Sequence, residues 1–375
     1  MHKIMVIFGT RPEAIKLAPV IRKLREDGAF VTRVLATAQH RDMLDQVLHL
    51  FSIEPDYDLD LMTGNQGLAD LTARSLRGVS DILEREGPDM AVLQGDTTTV
   101  FASALAAYYH RIPVCHVEAG LRTSDKYSPF PEEVNRRVAT VLSDLHCAPT
   151  GWARENLLRE GVPGERIHVT GNTVIDALGE ILRKPVRLEE KFPQINGFLA
   201  AVGRMILVTA HRRESFGTPF LEMCGALREL ADSHPDTGII YPVHPNPNVR
   251  QAVEAVLRKH PRILLIDPLD YPAFVALMKR AYFVLTDSGG VQEEAPSLRK
   301  PVLIMREITE RPEGVEAGVA RLVGNRKEGI VREASRLLES EEEYLRMATG
   351  DNPFGDGHAS GRIVRHMREY LEAYR

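Results

Sequence analysis

A pair of doubly wound α/β domains is predicted by three features of this chain. Short apolar runs alternate with amphipathic helical stretches almost throughout. The alternation breaks over Lys184–Met205 and then restarts. Nearly every apolar run ends in an acid, a histidine or an arginine. Alternation of this kind implies right-handed βαβ units and parallel sheets covered on both faces. At 375 residues, the chain is long enough for two ordinary domains and too long for one typical core.

In the first half, Ile4–Phe8, Val31–Ala36, Met90–Leu93 and Val114–Glu118 read as strands, with helical patterns such as Glu13–Arg25 and Leu68–Arg85 between them. The second half repeats the scheme with Ile206–Ala210, Gly238–Val243, Ile263–Ile266, Phe283–Thr286 and Pro301–Met305. The interval Lys184–Met205 holds Pro185, Pro193 and glycines, and reads as an irregular hinge. The expected domains are 1–172 and 173–357, facing each other across a cleft. A final helix over Ser360–Tyr374, within 358–375, is able to pack on either domain, including back onto the first.

Composition narrows the function classes. The chain is 43% hydrophobic and 26% charged, as a globular protein is. A net charge of −5 with dispersed Lys and Arg gives no nucleic-acid footprint. Cys115, Cys147 and Cys224 are isolated in sequence and read as inert thiols in a reducing compartment. No apolar run approaches the roughly 20 residues of a spanning helix. Met1-His2-Lys3 runs straight into a strand, which leaves no room for a signal peptide. A soluble, cytoplasmic protein is expected, with no metal and no cofactor: the first turn has one glycine, Gly9, so both the dinucleotide fingerprint and the Walker pattern are absent.

Ligands of open parallel sheets bind beyond the carboxyl ends of the strands. Those ends read GTRPEAIK, TAQHRDMLDQ, QGDTTT, HVEAGLRT, TAHRRES, VHPNP and TDSGG. The most informative is Leu285–Pro296, LTDSGGVQEEAP: a buried strand, a Ser-Gly-Gly turn and a helix opening with two glutamates. Such a turn offers backbone N–H groups and the positive end of a helix to a phosphate, with Glu294 placed to accept from a ribose diol. An ordinary capping box does not fit, because Ser288 as N-cap puts Val291 at the third helical position.

Glu118 ends an apolar strand, where a carboxylate can be desolvated and used for proton transfer. Asp96 precedes three threonines and reads equally as an N-cap. Glu132 and Glu133 follow Pro131 at a helix start, where acids are common, but after a long loop, LRTSDKYSPFP, of the kind that carries binding function. His211, beside Arg212 and Arg213, and Arg11 with Lys16 on the first turn could stabilise a leaving phosphate. His244 is flanked by prolines that shape a turn.

Together, GTRPEAIK, TAQHRDML, QGDTTT, HVEAGLRT, SPFPEEVNR, TAHRRESFG, TDSGGVQEEAP and TERPE resemble the non-hydrolysing bacterial UDP-N-acetylglucosamine 2-epimerases, in family order from Gly9 to Glu313. The resemblance implies a GT-B fold of two Rossmann-like domains, a homodimer, and interconversion of UDP-GlcNAc and UDP-ManNAc by anti elimination of UDP to 2-acetamidoglucal and re-addition. It implies Asp96, Glu118, Glu132 and His211 as the catalytic group, with Arg11, Lys16, Ser288, Gly289, Gly290, Glu294 and Arg311 on the nucleotide. The uracil would lie by Leu269–Phe274, read largely by backbone, with Leu269 standing where some relatives carry a polar residue. Gln39, His40, Asp42, Met43 and Gln46, with Arg212 and Glu133, resemble a second UDP-GlcNAc site that activates bacterial members; Asp42 departs from the Gln or Glu often found there. The alternatives are a hydrolysing epimerase releasing UDP and ManNAc, a GT-B glycosyltransferase and a nucleotide-sugar sensor.

Overall fold

A computed structural model describes residues 1–37, 41–61, 67–212 and 215–373. The chain forms two compact units, Met1–Ala177 with Phe354–Arg375, and Leu178–Pro353. The first crossing falls five residues beyond 172, inside the helix Thr173–Leu182, and the return falls at Phe354.

Among the described residues of unit 1, the strands are β1 (His2–Phe8), β2 (Phe30–Ala36), β3 (Tyr57–Asp58), β4 (Met90–Gln94), β5 (Val114–Val117), β6 (Leu145–Ala148) and β7 (Ile167–Val169). They form one sheet in the order β3-β2-β1-β4-β5-β6-β7, with every pairing parallel. Ile4, Met5, Val6, Ile7 and Phe8 are wholly buried, as a central strand covered on both faces requires. Unit 2 holds β8 (Arg204–Thr209), β9 (Thr237–Pro242), β10 (Ile263–Ile266), β11 (Phe283–Thr286), β12 (Val302–Ile304) and β13 (Ala320–Leu322), in the parallel order β10-β9-β8-β11-β12-β13. Its cores lie on the two faces of that sheet: one gathers Phe220, Leu227, Tyr241 and Leu337, the other Ile240, Leu277, Val284 and Ile304.

Both sheets reverse their strand order once, between β1 and β4 in unit 1 and between β8 and β11 in unit 2. Diverging connections leave a crevice at such a point, beyond the carboxyl ends of the strands. The segments after β1, β4 and β5, and after β8 and β11, therefore hold the positions where chemistry is expected.

Two elements differ from the sequence reading. Lys184–Met205 is not irregular throughout: it carries the helices Leu188–Lys191 and Pro193–Ala200, and Met205 lies inside β8. Pro193 occupies the first turn of its helix, where its missing N–H costs nothing, and Ile195 is buried in the unit 2 core. β5 stops at Val117, one residue early, because Glu118 takes the left-handed conformation with φ +64°. The last helix, Ala359–Ala373, packs on the helix Arg11–Glu26 and on β6. Asp176 ties its start down, accepting from the Ala359 and Ser360 N–H groups at 3.1 and 2.9 Å.

Candidate active site

Unit 1 builds its polar cluster from three neighbouring strand ends. The turn after β1 enters the helix Arg11–Glu26 through a capping box: Thr10 caps it, and Glu13 at the third position reaches back to the Gly9 and Thr10 N–H groups at 2.9 and 2.6 Å. Glu13 also accepts from the Thr97 hydroxyl at 2.5 Å, binding the β1 turn to the β4 turn. Burial raises its pKa against those hydrogen bonds, from Thr97, Gly9 and Thr10. Gly9 is required there, since a Cβ would collide with the hydroxyls of Thr99 and Thr37. Arg11 opens the helix half-buried, and Lys16 lies one turn further on, its side chain buried.

Lys16 donates through Nζ to Glu118, and Gln94 Nε2 donates to the same carboxylate oxygen at 2.6 Å. Both charged side chains are buried. A left-handed backbone at a non-glycine residue costs about 1–3 kcal/mol and persists only where its surroundings impose it. At Glu118 that strain accompanies an amide and an ammonium on one carboxylate.

Asp96 follows β4 and does not cap the next helix; Thr97 does, accepting from Val100 N–H. The Asp96 carboxylate instead takes Arg136 Nη2 at 2.6 Å, and Asn135 Nδ2 donates to its backbone carbonyl at 3.0 Å. Arg136 and Asn135 belong to the helix Glu132–Leu142. Pro131 stands at the N-cap position of that helix, one residue before the place expected of it. Glu132 is the first helical residue and half-buried. Glu133 is fully buried: it holds Arg136 at 3.3 Å and Arg137 at 3.1 Å, and accepts from Thr123 N–H at 3.1 Å. Its carboxylate is committed to the scaffold that aims Arg136 at Asp96.

Behind these groups, His116 on β5 donates through Nε2 to the Gly95 carbonyl at 2.7 Å. Burial depresses its pKa to about 4, and that of its register partner His146 to about 3, so both are neutral imidazoles near pH 7.

In unit 2, the helix after β11 is short. It runs Gly289–Glu294, with Ser288 at the N-cap making no side-chain capping bond, and continues as a 3₁₀ turn over Ala295–Leu298 because Pro296 cannot supply the next N–H. Glu293 and Glu294 therefore close this helix; they do not open it. Glu294 is buried and accepts from the Tyr271 hydroxyl. Gly289 has no room for a side chain, since the Arg311 guanidinium covers it. Arg311 is held by Glu293 at 2.6 Å and Glu310 at 2.5 Å. Glu310 also takes Arg306 at 2.7 Å and lies 3.5 Å from Arg212. Burial would raise the Glu310 pKa, but the charges of Arg311, Arg306 and Arg212 outweigh it and hold the carboxyl well below the usual range.

His211 follows β8, is exposed, and stacks on His244 with ring centroids 5.2 Å apart. Its backbone N–H and that of Arg212 both donate to Asp287, at 2.7 and 2.8 Å. Leu269 is buried, and Phe274 is half-buried on the helix Tyr271–Arg280. Of the second-site residues, Gln39 and His40 lie outside the described residues. Asp42, Met43 and Gln46 fall on the helix Arg41–Leu50, with Gln46 exposed.

Unit 1 thus brings Lys16, Glu118 and Gln94 together, and Asp96 with Arg136. Unit 2 brings Gly289 under Arg311 and Glu294 onto Tyr271. Reading the sequence singled out neither Glu13, Gln94, Arg136, Glu310 nor Asp287. Glu13 alone had a visible signal, the Thr-x-x-Glu capping spacing; the others are fixed by contacts remote in sequence.

The family described as UDP-N-acetylglucosamine 2-epimerase matches residues 22–368. The chain is 53% identical over 372 residues to a UDP-N-acetylglucosamine 2-epimerase of Yersinia pestis, covering 98% of this chain and 99% of the relative. It is likewise 53% identical over 369 residues to that of Escherichia coli K12, covering 98% of each. The crystal structure of UDP-GlcNAc 2-epimerase from Neisseria meningitidis bound to UDP-GlcNAc superposes with TM-score 0.94 at 47% identity, covering 98% of this chain and 100% of that one. The parallel sheets with interleaved helices are of the GT-B type that such structures share. By sequence and by fold, the chain belongs to the UDP-N-acetylglucosamine 2-epimerase family of enzymes.

Proposed function

We propose that the enzyme interconverts UDP-GlcNAc and UDP-ManNAc without net hydrolysis, by eliminating UDP and adding it back. The C2–H of the sugar has no adjacent carbonyl to acidify it. Proton transfer alone, worth about 10²–10⁴ in rate, is insufficient for such a proton. In the elimination, a carboxylate takes the C2 proton, the C1–O bond to UDP breaks, and C1=C2 forms as 2-acetamidoglucal. In the return, the UDP oxygen attacks C1 while a second group delivers a proton to the other face of C2. The observation that carries this reading is the pair of cation-held carboxylates beyond β4 and β5, Asp96 on Arg136 and Glu118 on Lys16. Two proton-transfer groups are what epimerisation needs, and Glu132 is the third member of that group. The fold itself has precedent for the ligand, since the Neisseria relative is described bound to UDP-GlcNAc.

The departing UDP is retained by unit 2. Ser288, Gly289 and Gly290 offer the diphosphate a helix N-terminus, Arg311 supplies positive charge, and His211 supplies a hydrogen-bonding imidazole. Glu294 anchors the ribose and the backbone by Leu269 and Phe274 reads the uracil. Arg11 and Lys16 are assigned to the nucleotide by the family resemblance. We assign the activator role to Gln39, His40, Asp42, Met43, Gln46 and Arg212, with Glu133 acting through Arg136, and a homodimer to the assembled enzyme. Among the described residues no helix is long and apolar enough to cross a membrane, and the three cysteines are buried, which suits a reducing, cytoplasmic setting.

Incubation with UDP-GlcNAc in D₂O, followed by proton NMR, tests the reaction. The expected product is UDP-ManNAc carrying deuterium at C2, with deuterium also appearing in the recovered UDP-GlcNAc. Accumulating UDP and free ManNAc would mean hydrolysis, and tight binding with no exchange would mean a sensor. Strictly hyperbolic kinetics in UDP-GlcNAc, with full-rate turnover of UDP-ManNAc alone, would exclude the activator site. Sedimentation at the 41.9 kDa chain mass would exclude the dimer.

A further inference from the structure

We propose that Asp287 is the positioning residue for His211, accepting a hydrogen bond from Nδ1–H so that Nε2 is the ring nitrogen left to meet the substrate. This deepens the reading above, which places His211 at the leaving diphosphate, and it rests on that reading.

The geometry starts with the sheet. β8 and β11 are parallel neighbours, with Thr209 opposite Thr286. The residue after β11 is Asp287, whose N–H donates to the Thr209 carbonyl at 3.0 Å and so extends the ladder by one bond. Its side chain is fully buried. One carboxylate oxygen, Oδ2, takes the N–H groups of both His211 and Arg212, at 2.7 and 2.8 Å, which fixes the chain as it leaves β8. The other oxygen, Oδ1, is buried with no hydrogen-bond partner among the described residues and lies 3.7 Å from His211 Nδ1.

A buried carboxylate oxygen without a donor is costly, and a shift of several tenths of an ångström would turn the Nδ1 approach into a hydrogen bond. Two other contacts already restrain the imidazole. Its ring lies nearly parallel to that of His244, at 11°, and its backbone is pinned by Oδ2 of the same aspartate. Tyr241 closes the underside, donating to the Ala210 carbonyl at 2.5 Å. Rotation about the last side-chain bond is thus the main freedom left. Substrate binding that used Nε2 would favour the rotamer in which Nδ1–H meets Oδ1. An acceptor at Nδ1 selects the tautomer and stabilises the imidazolium, should His211 carry the charge while UDP departs.

Asp287→Asn is the sharpest substitution. Its amide oxygen can still accept the two backbone N–H groups, but its NH₂ cannot accept from Nδ1–H. The proposal expects kcat to fall about 10²–10⁴-fold, KM and the Kd for UDP to stay within a few-fold, and the melting temperature to hold. It also expects Asp287→Asn/His211→Gln to be no slower than His211→Gln alone. If His211→Gln turns over like the wild type, the reading of His211 fails, whatever Asp287 does. If His211→Gln is slow while Asp287→Asn keeps wild-type kcat, or if the two losses multiply, Asp287 does not act through His211 and the proposal is overturned. Should Asp287→Asn fail to fold, ¹⁵N-histidine NMR of the wild-type enzyme with UDP decides. The signal absent from His211→Gln must report a protonated Nδ1; a ring protonated at Nε2 alone overturns the proposal.

Discussion

Lys16 and Glu118, 102 residues apart in sequence, form a buried ion pair between the helix after β1 and the residue that follows β5. Breaking a buried pair leaves an uncompensated charge and costs about 3–5 kcal/mol, whereas removing both partners is far milder. Lys16→Met should therefore lower the stability of unit 1 by roughly that amount, and Lys16→Met/Glu118→Gln should recover most of it while remaining inactive. Urea unfolding and NMR turnover measure the two effects. A double variant with wild-type turnover would remove both residues from the catalytic group.

Asp96 makes a different prediction because its partner sits on another helix. Asp96→Asn keeps a hydrogen-bond acceptor for Arg136 at 2.6 Å but cannot carry a proton in the same way. Turnover should fall about 10²–10⁴-fold with UDP affinity nearly unchanged, since the diphosphate is assigned to unit 2. Calorimetric titration with UDP, beside the D₂O exchange assay, tests this. A parallel loss of UDP affinity would place Asp96 on the nucleotide instead.

These contacts also show what sequence could and could not reveal. Strand cores such as Ile4–Phe8 and Phe283–Thr286 were legible because burial on both faces imposes a continuous apolar run. Glu118 stood out for the same reason: a carboxylate directly after such a run is anomalous. Its left-handed backbone was not legible, because that conformation is imposed by tertiary contacts and not by local composition. Arg136 carried no signal of its own in the sequence, and only folding shows it reaching Asp96, 40 residues away. Glu294 was placed in a first turn because the run after Gly290 gives no stop signal until Pro296, yet the helix is too short to have an interior. The β3, β6, β7 and β13 strands went unread, since Asp58, His146, His168 and Arg321 interrupt their short apolar runs.

Glu310 predicts acid sensitivity in unit 2. Its folded pKa is depressed, so its contribution is complete above the unfolded value, about 4.3, and is lost as pH falls toward the folded one. Glu310→Gln should be less stable than wild type at pH 7 by about 3–5 kcal/mol, because Arg306 and Arg311 lose their shared carboxylate. That gap should narrow by about 1.4 kcal/mol for each pH unit below roughly 4.3. Urea midpoints of both proteins at pH 7, 4 and 3 give the comparison. A gap independent of pH would show that Glu310 is not ionised in the fold.

His116 and His146 give the opposite chemistry at milder pH. Both are bases with depressed folded pKa values, about 4 and about 3, because burial penalises the imidazolium. The unfolded chain binds their protons from about pH 6.5 downward, so stability is complete above that value and drains as pH falls toward the folded values. Each neutral ring costs about 1.4 kcal/mol per pH unit within that window. His116→Gln retains a donor for the Gly95 carbonyl but no titrating group, so the loss of unit 1 stability between pH 6.5 and 5 should be shallower by up to about 1.4 kcal/mol per pH unit. The reading fails if the slope is unchanged, since the protons taken up on unfolding would then come from elsewhere.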